Sequence, residues 1–166
     1  MRGRVASRSV ARPRTARGRA RRTHERLALE YPEAECELDH RNAFELLAAT
    51  ILSAQATDAG VNKATPGLFA RYPDAESLAA AEPQDVEPLV DSIGLFRQKS
   101  KSLVGMARML VEDFDGAVPG RMEELTRLPG VGRKTANVVR SVALDLPGLP
   151  ADTHVKRLVG LLDITD

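Results

Sequence analysis

The residues with the clearest chemical potential lie in one short string, LTRLPGVGRKTANVV at 125–139, where two glycines bracket a single apolar residue between two short helical patterns. Gly130 and Gly132 allow backbone dihedrals and close approaches that a side chain would block. Without side chains there, consecutive N–H groups face outward together at a helix start, and the helix dipole supports an anion placed against them. A phosphate group fits such a site. Lys134 follows in the first turn of that helix, where the dipole's positive end and neighbouring Arg133 both disfavour an ammonium. A solvated surface lysine and an ordinary Gly turn are the plain alternatives for the same residues. Further along, Asp152 precedes Thr153-His154 and has the placement of a helix N-cap, while Arg97, Lys99 and Lys101 decorate the start of an earlier helix as candidate phosphate contacts.

The elements that must hold these groups all read as helices. Asn42 and Glu45 have capping-box spacing, and Phe44, Leu47, Ile51 and Leu52 then recur on one face up to Gln55. Thr57 and Asp58 begin a second helix through Val61, Ala64, Leu68 and Phe69, with Pro66 expected to kink or divide it. Asp74 opens a short helix to about Ala81, Pro83 suits the first position of the next, and Gly94 is expected to end it. An apolar stripe of Leu103, Met106, Leu110, Val111 and Phe114 marks a helix over 97–114. Met122 to Leu128 and Lys134 to Leu144 flank the glycine turn, and Pro147 to Pro150 break the chain before a last helix from Thr153 to Leu162. No stretch alternates as a strand does. The expected fold is all-α.

Composition agrees with that class and narrows the setting. Of 166 residues, 43% are apolar but only 4% aromatic, with no tryptophan, so the core is built from Ala, Leu and Val, a mixture that favours helices. Residues 1–22 hold nine arginines (Arg2, Arg4, Arg8, Arg12, Arg14, Arg17, Arg19, Arg21 and Arg22) and no acid, leaving 15 basic against 23 acidic residues in the rest. That arm carries little apolar surface, so it is expected to be disordered and either to contact polyanions, nucleic acid first among them, or to stay solvated. An Arg-rich, acid-free start also matches an organellar transit peptide. The single cysteine, Cys36, excludes an intrachain disulfide and a thiolate metal cage, and points to a reducing compartment. Lacking a secretory signal or a bilayer-length apolar run, the chain is expected in the cytoplasm.

Four strings in order and at matching spacing, SAQATDAGVNKAT at 53–65, IGLFRQK at 93–99, LPGVGRKTANVV at 128–139 and ADTHVKR at 151–157, resemble the endonuclease III family of helix-hairpin-helix DNA glycosylases. The resemblance runs from about Asn42 to Arg157. It implies a six-helix barrel domain over 42–146 with the helix-hairpin-helix at 121–145, preceded by a disordered arm (1–22) and an N-terminal helix and linker (23–41). Residues 147–166 would begin a second helical domain, largely missing.

The same resemblance implies base excision repair: removal of oxidised pyrimidines from damaged double-stranded DNA and cleavage of abasic sites, in a bacterial nucleoid and by a monomer without a nucleotide cofactor or membrane. The catalytic lysine and aspartate fall on Lys134 and Asp152. A lysine amine attacking the sugar C1′ gives a Schiff base; with an unperturbed pKa of about 10.4, freeing that amine at about pH 7 costs roughly 4.6 kcal/mol. Asp152 would take the proton or stabilise the sugar cation. Lysine at this position also separates the family from related adenine-mismatch glycosylases. Gln55 and Leu95 match the side chains that fill the gap left by an extruded nucleotide. Lys99, Gly130, Val131, Gly132, Arg133, Thr135 and His154 complete the expected DNA contacts. Family members close with four cysteines around an iron–sulfur cluster, whose ligands would lie beyond residue 166, so no metal or cluster is expected in this chain. A second possibility follows from the missing end: a DNA-binding remnant that keeps the hairpin but lacks a complete cleft.

Overall fold

A computed structural model describes residues 13–165, and all of its regular structure is helical. The helices are α1 (Ala16–Glu30), α2 (Ala43–Ser53), α3 (Asp58–Arg71), α4 (Ala75–Ala79), α5 (Pro83–Val90), α6 (Phe96–Phe114), α7 (Met122–Leu125), α8 (Arg133–Val142) and α9 (Thr153–Leu161). The chain divides into two compact units, one spanning Cys36–Pro150 and the other joining the described residues up to Glu35 with those from Ala151.

In the larger unit α6 is the spine. It packs against α4, α5 and α2, while α2 also receives α3 and α8. Leu46, Leu47 and Leu52 of α2, Leu68 of α3, Leu78 of α4, Leu103, Met106 and Leu110 of α6, and Leu125 and Leu128 beside the hairpin are all fully buried. Aliphatic side chains of this kind supply most of the stabilisation, at about 1.5–3 kcal/mol for each one fully buried. Val111, assigned to the same stripe by periodicity, is 38% exposed; it sits at the edge of the apolar face.

Helix starts follow local chemistry. The Asn42 side chain accepts from the Glu45 amide at 2.9 Å, but Glu45 completes the exchange one residue earlier than the capping-box spacing suggests. Its Oε2 accepts from the Arg41 amide at 2.7 Å and its Oε1 from the Arg41 guanidinium. Burial pushes the Glu45 carboxyl up, yet the bonds and charge of Arg41 outweigh this and hold it below its ordinary range. Pro66 does not divide α3, which continues through it. The flanking Ala64, Thr65, Leu68 and Phe69 are buried, and that packing offsets the intrinsic penalty of about 3 kcal/mol. Gly94 does not end α5 in a left-handed turn; α5 stops at Val90, and the left-handed residue is Leu95.

In the smaller unit, the expectation of disorder through residue 22 is corrected for 16–22, which lie in α1; the residues before 13 fall outside the described part. Thr15 caps α1 by accepting from the Gly18 amide at 3.1 Å, and alanine and arginine are strong helix formers. Arg19 spends its charge on backbone, donating to the carbonyl oxygens of Arg14 and Asp163. No residue of α1 or α9 is buried. Among the described residues no helix is long and apolar enough to cross a membrane.

Candidate functional site

The hairpin joins α7 to α8 through Leu128–Gly132, and its two glycines do different work. Gly130 is left-handed, at φ +80°, and a Cβ there would lie 2.9 Å from Ser102 Cβ and 3.2 Å from Ile51 Cγ2. Glycine is therefore required both by the turn and by its seat on α6 and α2. Gly132 has an extended backbone, φ −96° and ψ 176°, that any residue adopts, with nothing within 4 Å of where a Cβ would stand. What glycine provides there is open space. As the N-cap of α8, Gly132 supplies no side-chain hydrogen bond, whereas Asn42, Thr57 and Asp152 each cap their helices with a side-chain oxygen. The first N–H groups of α8 are left for an outside acceptor, with the dipole favouring an anion.

Val131, expected among the DNA contacts, is corrected. Its side chain is buried and its amide donates to the Leu128 carbonyl at 3.1 Å. It locks the turn to the core and leaves contact to its exposed neighbours Gly130, Gly132 and Arg133.

In the first turn of α8, Lys134 and Thr135 line a pocket of about 340 Å³ with Cys36, Glu37, Ser53, Gln55 and Asp58 among its other walls. Lys134 is exposed, so its amine is open to a solute. The geometry thus brings Lys134, Thr135 and Gln55 together beside the uncapped helix start. Asp152 caps α9 in the other unit, its Oδ1 accepting from the Val155 amide at 2.8 Å, and His154 is exposed in the first turn of that helix.

Gln55 and Leu95 share an unusual backbone. Both are exposed non-glycine residues in the left-handed region, at φ 57° and 61°, a conformation that costs of order 1 kcal/mol or more for such side chains. Leu95 is 63% exposed, which removes a core contact as its role. Their loops also adjoin, since a Cβ on Gly94 would stand 4.0 Å from the Gln55 carbonyl oxygen.

Lys99 is corrected as a phosphate contact. It is 5% exposed, and its Nζ donates to the Leu52 carbonyl at 2.9 Å; burial pushes the amine's pKa down. A lysine at a helix start usually carries its ammonium to water, and residue type alone does not show the inward carbonyl that holds this one. Arg97 and Lys101 remain exposed, Arg97 lying over the Phe96 ring and near Glu87.

An iron–sulfur cluster of the kind the resemblance implies needs four thiolates. This chain has one cysteine, and among the described residues no group of His, Cys, Asp or Glu is arranged to hold a metal ion. The residues present do not fit the cluster.

Comparison with known proteins places this geometry. Residues 48–166 match the family described as HhH-GPD superfamily base excision DNA repair protein. The chain is 56% identical over 140 residues to endonuclease III of Synechocystis sp., covering 82% of itself and 64% of that protein. It is 48% identical to endonuclease III of Bacillus subtilis, covering 81% of itself and 61% of that relative. It therefore spans somewhat under two thirds of the length of these relatives. A solved structure of a trapped endonuclease III–DNA covalent intermediate, an estranged-adenine complex, superposes with a TM-score of 0.79 at 46% identity, over 87% of this chain and 67% of that one.

Proposed function

The chain belongs to the HhH-GPD superfamily of base excision DNA repair proteins, and from that premise we propose that it is a bifunctional DNA glycosylase and abasic-site lyase acting on oxidised pyrimidines. The observation that carries this reading is the placement of Lys134, an exposed amine two residues past the open cap of α8 and on the wall of the pocket that Gln55 also lines.

In this reading the amides at the start of α8, with Gly130, Gly132 and Arg133, take one phosphate of a damaged duplex and so fix its register. Gln55 and Leu95 enter the stack and offset part of the several kcal/mol lost when a nucleotide leaves it. The neutral Lys134 amine attacks C1′ as the C1′–N bond to the base breaks, and the base departs with the bonding electron pair and a proton. Loss of the amine proton and opening of the sugar ring give the Schiff base. Removal of a C2′ proton then expels the 3′ phosphate as the C3′–O bond breaks. Asp152 is the group assigned to the proton or to the developing sugar cation, and Thr135 and His154 to substrate positioning.

The experiment is reduction with borohydride in the presence of duplex DNA carrying an abasic site. The wild-type chain is expected to become covalently fixed to the DNA, and Lys134→Ala to lose this while keeping most of its affinity. The alternative is a DNA-binding module without the chemistry. Binding without trapping by the wild-type chain would select it.

A further inference from the structure

We infer that Lys99 is a positioning residue that sets the spacing of the Gln55 and Leu95 loops, so that the two side chains enter DNA as one preformed wedge. The inference rests on the reading of those two residues given above.

Three observations carry it. First, Lys99 bridges the two loops at their roots. Its amide donates to the carbonyl of Leu95 at 3.0 Å and so begins α6, while its Nζ reaches across 47 residues of sequence to the carbonyl of Leu52 at 2.9 Å. Leu52 lies three residues before Gln55, in the last turn of α2, where carbonyls lack an intrahelical partner. The amide four residues on, that of Ala56, turns instead to the Ser53 carbonyl at 3.0 Å. A cation at that helix end suits the orphan carbonyl and the dipole.

Second, the arrangement is costly. An ammonium with 5% exposure is placed where a methionine or leucine would pack without desolvation. Adjoining Ser100 adds to the expense, being fully buried with a hydroxyl that has no hydrogen-bond partner. Stability alone gives no reason for a cation here.

Third, each of the two loops tied at its root through Lys99 carries an exposed residue in the left-handed region, Gln55 in one and Leu95 in the other. A strained backbone persists only where its surroundings over-determine it. The bond from Lys99 to Leu52 is a buried side-chain tie between the roots of these two loops. A wedge must keep its shape while prying bases apart, and a tie at its base reduces the ordering left to be done on binding.

The test uses the full chain and a duplex with thymine glycol, an oxidised pyrimidine, opposite 2-aminopurine, whose fluorescence rises when it unstacks. Lys99→Met keeps the stem and removes the donor; Lys99→Gln keeps a donor on a stem too short to reach Leu52. Both are expected to lower the yield of unstacking at saturating protein by about tenfold, the scale of a lost charge-assisted hydrogen bond. Affinity for undamaged duplex, carried by phosphate contacts, is expected to stay within about twofold. Lys99→Arg, which keeps a cationic donor, should restore most of the signal. Unstacking at wild-type yield in Lys99→Met, or a parallel loss of undamaged-duplex affinity, overturns the assignment, as does failure of both variants to fold, which would make Lys99 a core element. Absence of a fluorescence rise in the wild type overturns the wedge reading of Gln55 and Leu95 instead.

Discussion

The starts of α2 and α8, two helices that pack on each other, are built on opposite plans. At α2 every group is spent inward: Asn42 caps, and Glu45 is bonded to both the amide and the guanidinium of Arg41. The pocket beside it, about 680 Å³ and walled by Asp39, His40, Arg41, Glu45 and Phe69, is the larger of the two. At α8 nothing caps the helix, the pocket is half that size, and an exposed lysine lines it. Pocket volume is thus a poor guide here. In the proposed reading the chemistry belongs where hydrogen-bonding capacity has been left unspent, and satisfied polar groups mark the part of the molecule that holds the shape.

That contrast can be broken or sharpened by substitution. The largest effect is expected for Lys134→Ala: cleavage at abasic sites should fall by at least about a thousandfold, as for loss of a covalent nucleophile. Its thermal unfolding should shift by less than about 0.5 kcal/mol, as for an exposed site. Next is the pair of glycines. Gly130→Ala is expected to cost about 2–3 kcal/mol in denaturant unfolding, because the left-handed backbone and the Ser102 contact act together. Gly132→Ala should cost only about 0.5–1 kcal/mol, the difference between glycine and alanine at an N-cap, while weakening DNA binding in a filter or anisotropy assay. If the two glycines respond alike, the division between seat and opening is wrong.

Asn42→Ala should lose about 1 kcal/mol of stability and leave trapping by the folded protein unchanged. The smallest effect concerns Glu45. Its folded-state pKa is held below the unfolded value of about 4.3, so its contribution is fully present above that value and is lost as pH falls through the folded pKa. Melting temperature measured down through the acid range should therefore fall less steeply in Glu45→Gln than in the wild type. Equal slopes would show that Arg41 does not hold the carboxyl down.

Much of this was legible in the sequence because it is local. Periodicity placed the helices, Asn42 announced its cap, and the Gly-x-Gly turn announced an open helix start. The misreadings share one physical origin, that tertiary context decides them. Pro66 is tolerated because its neighbours are buried. Val131 is core because its turn sits on α2 and α6, and Lys99 is buried because a carbonyl from another helix awaits it. Arg17, Arg21 and Arg22 have the composition of a repelling, disordered run, whereas Thr15 and good helix formers order them. The left-handed backbones of Gln55 and Leu95 carry no signal in residue type, since neither glycine nor asparagine occupies those positions.

The most direct measurement is the site of attachment. After borohydride reduction on abasic DNA, proteolysis and mass spectrometry should find the sugar remnant on the peptide containing Lys134 and on its ε-amine. Attachment at any other amine, with Lys134 unmodified, would contradict the account.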